Sequence, residues 1–258
     1  MVTTEFTAEA EKLTGVCRGI FGDEIQWIAA DGYPHSQALC IIDSIFSTGS
    51  HYNSVINVVN EYRAYRRARG GNADYDGTAE LLATFADVGE SAAAWADKVV
   101  NNRKPAHTKK NAPLKAEVIR QAAEKLKELG YTTREHLHRA YVEDKEVKAL
   151  KDAWIHLPSQ RSGVTCNYLL ILAGFQSVKP DRMVIRFIKE HAELGERDLS
   201  TSEAADLIRQ VAELYPTEAR RLDHVIWRYV SGRDVFKEQD VEIWTGSSEL
   251  QAITLPNR

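Results

Sequence analysis

A chain of 258 residues with 43% hydrophobic content has apolar material for one large or two small domains. No stretch approaches the ~20 apolar residues of a bilayer span, and the polar start MVTTEFTAEAEK is unlike a secretory signal, so a cytoplasmic protein with no membrane partner is expected. The net charge of −4 excludes a chain coated in basic residues and leaves any DNA affinity to local clusters.

The ends of the chain read as irregular. After a capping candidate at Ser36, the run Ala38, Leu39, Ile42, Ile45 and Phe46 predicts a buried helix, closed by the polar break Ser47 to Ser50. Val55, Ile56, Val58 and Val59 resume on a second helix that reaches the arginine cluster Arg63, Arg66, Arg67 and Arg69. Two short helices are expected around Leu81 to Phe85 and Ala92 to Val99. The acid-free basic stretch Arg103, Lys104, Lys109, Lys110 and Lys115 follows. Either basic cluster suits a phosphate-binding face or a solvated surface. Ala116 to Leu129 is amphipathic and stops at Gly130, and helices over Thr133 to Tyr141 and Val147 to Ile155 come next. Ser200 with Glu203 forms a capping box for a helix through Tyr215, and Leu222 to Val230 is the last periodic run. No segment alternates with period two between hairpin turns, so the fold is predicted to be all α.

The segment LPSQRSGVTCNYLLILAGFQSVKPDRMVIRF, from Leu157 to Phe187, carries the most information. Leu157 and Pro158 close one helix, Ser159 to Gly163 make a polar turn, and a second helix carries Thr165, Tyr168, Leu169, Leu172 and Ala173 up to Gly174. Pro180 and Asp181 then open a third helix, which places Asp181 in a first helical turn where the dipole favours a carboxylate. This order of leucine-proline, hairpin, helix and helix-opening aspartate resembles the helix-hairpin-helix DNA glycosylases of the endonuclease III and alkyladenine glycosylase superfamily.

The resemblance implies two helical lobes with a central cleft and a helix-hairpin-helix motif. One lobe would span residues 36–173, and the other would be built from residues 1–35 and 174–258. It implies that Asp181 is the catalytic aspartate, stabilising an oxocarbenium-like sugar as a flipped base departs and helping to activate water. The hairpin residues Gln160, Arg161, Ser162 and Gly163, with Thr165 and Arg186, are the expected contacts to double-stranded DNA. Arg186 is equally placed to pair with Glu190 one turn on. The break STGSHYNS, Ser47 to Ser54, stands where relatives carry a wedge loop, so His51, Tyr52 and Asn53, with His156, are candidates for the base pocket or wedge.

The chain departs from the family in two ways. The hairpin keeps one glycine of the usual two, and Val164 or Gly163 stands where bifunctional members carry a lysine nucleophile. A monofunctional, water-using glycosylase is therefore expected. The three cysteines, Cys17, Cys40 and Cys166, are scattered in apolar surroundings and read as buried thiols, so no iron-sulfur cluster is expected. The eight histidines offer no metal-ligand spacing. The expectation is accordingly a glycosylase without metal or cofactor, associated with the nucleoid, in base excision repair or in defence against modified phage DNA. A non-catalytic DNA-binding module, in which Asp181 only caps its helix, is the competing reading, and a helical protein-interaction domain is a third. The sequence leaves the oligomeric state open, with a monomer as the default.

Overall fold

The computed structural model describes residues 6–28, 32–195 and 197–237, and among them every long element is a helix. The first corrects the expectation of an irregular N-terminus. α1, Thr7–Phe21, buries Ala10, Leu13, Thr14, Cys17 and Phe21, a stripe at helical spacing that its glycines and charged residues disguise. The expectation of an irregular C-terminus falls largely outside the described residues.

α2, Gln37–Phe46, has no face for water. All ten of its residues are buried, and Ser36 caps it by accepting the Leu39 N–H. α3, Tyr52–Arg67, and α4, Thr78–Ala86, pack on it, and α5, Ala92–Lys98, follows. α6, Lys115–Glu128, contacts α2, α4 and α5. α7, Arg134–Glu143, α8, Lys148–Trp154, and α9, Val164–Leu172, complete this half, with α9 lying against α2. The buried side chains of these helices form one core running from Ala38 to Phe175.

A second core joins Phe6 to Trp27 with Val178 to Ile226. It is built by α1 packed on α11, Thr201–Leu214, and by α10, Arg182–His191, packed on α12, Ala219–Val230. Ser200 and Glu203 form the capping box of α11. The two stretches of chain are tied where Ile28 N–H donates to Val235 O at 2.9 Å and Lys237 N–H donates to Gln26 O at 2.8 Å.

Gly32 marks a close approach to the end of α9. Its φ of +57° and a would-be Cβ 2.3 Å from Leu172 O admit only glycine, and beside it Tyr33 N–H donates to that same carbonyl at 2.7 Å. No helix among the described residues is long and apolar enough to cross a membrane.

Candidate active site

Pro180 fixes the approach to α10, and Asp181 caps it. Oδ1 of Asp181 accepts the Met183 N–H at 2.8 Å and the Val184 N–H at 3.2 Å, which leaves Oδ2 without a hydrogen bond to the described residues. The side chain is half-buried where the chain passes from the first core to the second. Asn167 of α9 makes no hydrogen bond to it. The backbone of α10 holds the carboxylate instead.

Around Asp181 lies a cluster that the motif did not reveal. Asp223 of α12 is buried and accepts the Lys179 N–H at 3.1 Å, which anchors the segment leading to Asp181. The Lys179 ammonium lies 3.7 Å from the centre of the Tyr168 ring. On α2, Asp43 is buried, and its Oδ2 accepts the Tyr33 hydroxyl at 2.8 Å. Its Oδ1 is buried with no partner among the described residues.

These charges perturb one another in a dry setting. Burial raises the Asp223 carboxyl well above the usual carboxylate range, and the charge of Asp181 adds to this while Lys179 opposes it. Burial also raises Asp43, against hydrogen bonds from Tyr33 and Tyr168 and the charge of Lys179. Lys179 is lowered by burial, with Asp181, Asp43 and Asp223 acting in the opposite direction. One lysine thus sits among three acids, two of them biased toward the neutral form.

Tyr52 stands at the rim of this cluster and adds to the burial, Asp43 and Tyr33 in raising the Tyr168 phenol. It opens α3 with 38% of its surface exposed, its ring 5.8 Å from that of Trp227 and the Arg233 guanidinium 4.4 Å above it. His224 stacks on Trp227 at 5.8 Å, and burial with the nearby cations pushes it down to about 4, so it is neutral at physiological pH. His224 Nε2 and Arg233 Nε are both buried without partners among the described residues.

The other expected site residues divide sharply. In the turn after α8, Arg161 and Ser162 are exposed, and Gly163 caps α9 at a φ of +71°. Ser159 takes a second left-handed position, at a φ of +66°. Gln160 and Thr165, two of the expected DNA contacts, turn their side chains inward. Both are buried, and the Thr165 hydroxyl donates to Gln160 Oε1 while accepting the Trp154 indole N–H at 2.8 Å. They brace the turn from inside because the polar atoms of a buried turn need partners. Arg186 is exposed and caps α12 by donating to Val230 O at 3.0 Å, in place of the pairing with Glu190. His51 and Asn53 are exposed beside Tyr52. Helix α3 begins at Tyr52, so Tyr52 and Asn53 belong to its first turn and not to a loop. His156 is exposed, and its Nδ1 lies 2.6 Å from Asp152 O, in the helix it follows.

The basic clusters are largely spoken for. Arg63, Arg66 and Arg69 pair with Asp74, Asp76 and Asp87. Lys115 is buried and donates to Ile45 O at 3.0 Å, Phe46 O at 2.9 Å and Thr48 O at 2.6 Å. Lys104 reaches Gly49 O at 2.5 Å. These two lysines hold the loop before Tyr52, while Arg67, Lys109 and Lys110 stay exposed. A shallow groove of about 530 Å³ beside α3, lined by Ser54, Asn57, Asn60, Glu61, Asn101 and Asn102, lacks the buried acids of the cluster.

Residues 11–231 match a single protein family throughout. The chain belongs to the family described as Domain of unknown function (DUF8548). No curated protein and no solved structure matches it. The DUF8548 match takes in Asp43, Tyr168, Lys179, Asp181 and Asp223, so the whole acid cluster is part of the family region, whereas Arg233 lies just beyond it.

Two of the missed residues carry signals in the sequence. Asp43 is a lone acid inside the apolar run ALCIIDSIF, and Asp223 falls between the buried Leu222 and Val225. Lys179 has no such signal, because its role depends on acids brought from α2 and α12 by the fold.

Proposed function

We propose that this protein is a monofunctional DNA glycosylase. It would bind double-stranded DNA, extrude a damaged or modified nucleotide, and hydrolyse its N-glycosidic bond to leave an abasic site. The observation that carries the reading is the state of Asp181. Both backbone hydrogen bonds fall on Oδ1, so the carboxylate is fixed while Oδ2 has no hydrogen-bond partner among the described residues, between the stretches of chain that build the two helical cores. A fixed anion in a partly dry site suits a reaction whose transition state places positive charge on a sugar. Oδ2 would face the anomeric carbon and guide the attacking water, and the departing base would take up a proton. Tyr52, with the Trp227 ring and Arg233, offers a stacking surface at the rim, and the exposed Arg161 and Ser162 of the turn offer phosphate contacts. On this reading the protein works on cytoplasmic, nucleoid-associated DNA, in repair or in defence against modified phage DNA.

Base release from a panel of natural and modified duplexes, followed by mass spectrometry, tests the proposal with Asp181→Asn as the control. Asparagine caps a helix as well as aspartate does, so the variant keeps the stability of the intact chain within ~0.5 kcal/mol. Release should fall by about 10²-fold or more. Full release by a folded, DNA-binding Asp181→Asn protein would sink the mechanism. The cap bonds also suit a non-catalytic DNA-binding module, and that alternative predicts unchanged binding with no base released by either form.

A further inference from the structure

The basic stretch between α5 and α6 is left unused by the sugar chemistry. Residues 98–116 contain no acid, and within them Lys104 to Lys115 fold back as a hairpin loop. Pro105 and Leu114 form an antiparallel bridge, Ala106 N–H donates to Pro113 O at 2.8 Å, and Lys115 N–H donates to Lys104 O at 2.9 Å. These bonds close the base of the loop, and the Lys109 N–H orders its tip by donating to His107 Nδ1 at 3.3 Å. Lys109 and Lys110 stand exposed at that tip, with no ion-pair partner among the described residues. Arg63, Arg66 and Arg69, by contrast, have their charges answered by acids.

The hairpin is tied to the Tyr52 end of α3. Lys104 Nζ donates to Gly49 O, and Lys115 Nζ to Phe46 O and Thr48 O, around the loop that leads to Tyr52. Just before the hairpin, Asn101 and Asn102 line the groove of about 530 Å³ together with Asn57 and Asn60 of α3, which are exposed one turn apart. No aromatic ring among the described residues lines this groove, so it suits the backbone of a strand and not its bases. Amides beside ammonium groups supply the donors that phosphate and sugar oxygens accept.

We propose that the groove and the hairpin together hold the sugar-phosphate backbone of DNA beside Tyr52, independently of sequence. The identity of the ligand rests on the glycosylase reading. The four asparagine amides donate to backbone oxygens, while Lys109 and Lys110 neutralise phosphates and release their counterions. Glu61 lines the same groove, is exposed, and opposes the strand with its charge.

The test measures binding of a natural duplex to the Asp181→Asn protein, which leaves the DNA intact, by fluorescence anisotropy over a range of salt. Adding Lys109→Glu with Lys110→Glu should weaken binding about tenfold or more and lower the salt slope by about two, alike for every sequence. The same reversal at Lys125 and Lys127, exposed toward the other end of α6, changes the net charge equally and should have a far smaller effect. Glu61→Gln should tighten binding about threefold, a gain that a damaged fold does not imitate. A loss in the hairpin variant no greater than that of the α6 control, or no gain from Glu61→Gln, overturns the proposal. Polyglutamate that displaces DNA from the hairpin at equal charge concentration would assign the surface to an acidic protein and overturn it as well. The expected changes in binding, with no base released from any duplex, uphold the DNA surface while sinking the glycosylase reaction. An intact chain that binds no DNA overturns both.

Discussion

Lys115→Met isolates the strut beneath the candidate rim. The methionine preserves the apolar stem and removes an ammonium that serves three backbone carbonyls, at Ile45, Phe46 and Thr48. Two effects oppose each other. Burial, with the positive Lys104 adding to it, pushes Lys115 from its ordinary 10.5 down to about 7, a bias of about 5 kcal/mol against the charged form that the variant escapes. The variant also strands the carbonyls, at roughly 1–3 kcal/mol for each buried acceptor left unpaired. With the loop closed to water the three carbonyls stand near the upper end of that range, about 7–9 kcal/mol together, which exceeds the bias and leaves a net loss of about 2–4 kcal/mol. For a chain of this size that lowers Tm by about 5–15 °C. The sign with pH follows from the proton balance. Between about pH 7 and 10.5 the unfolded chain holds a proton on Lys115 that the folded chain has released, so the intact protein gains stability as pH rises there and the variant does not. Circular dichroism melts at pH 6.5 and pH 9 should show the gap between the two proteins widening. A gap that narrows, or a variant melting within about 2 °C of the intact chain, would refute the role assigned to Lys115.

Asp223→Asn should act in the opposite direction. Asparagine keeps an acceptor for the Lys179 N–H, and the folded chain holds a proton on Asp223 that the unfolded chain loses above the ordinary carboxylate range. The stability of the intact protein therefore falls as pH rises past that range, and the variant should melt higher at neutral pH and converge with it near pH 4. A constant difference across that span would remove Asp223 from the titrating cluster. Arg161→Ala, at an exposed turn position, should weaken DNA binding equally for all sequences and lower the salt slope by about one. Unchanged salt dependence would place the turn outside the DNA interface.

The elements that could be read from sequence are those whose signal is local. Helix α2 is an unbroken apolar run, the capping box at Ser200 and Glu203 is a four-residue pattern, and the Asp181 cap follows from proline, aspartate and the periodic run behind them. Helix α1 was equally local but masked, since its stripe of Ala10, Leu13, Cys17 and Phe21 is interrupted by Thr14 and diluted by Gly15 and Gly19. The basic clusters could be read two ways because a count of arginines and lysines does not contain their partners. Asp74, Asp76 and Asp87 lie close in the chain to the arginines they neutralise, whereas the Lys115 carbonyls are brought up from α2 by packing. In the site, Asp181 and Tyr52 were legible as residue types at fixed places in a motif. The acids that surround Lys179 were not, because α2, α12 and the segment between Phe175 and Asp181 meet only in the folded chain.

Two buried acids differ in how the fold satisfies them. Asp76 is 3% exposed, and each of its oxygens is paired: Oδ2 accepts from Tyr62 at 2.8 Å and Arg66 Nε at 2.5 Å, and Oδ1 accepts from the Arg66 guanidinium at 3.0 Å. Nothing remains for a ligand to satisfy, and the group is a closed tie between α3 and the turn before α4. Asp43 is about as deeply buried, and its burial is opposed by hydrogen bonds from Tyr33 and Tyr168 and by the charge of Lys179, a lysine that also faces Asp181 and Asp223. A protein with only about 5–15 kcal/mol of total stability tolerates an open buried carboxylate poorly unless something completes it. Asp181 is a different case, since its first oxygen is doubly held by the backbone of α10 while its side chain is only half-buried.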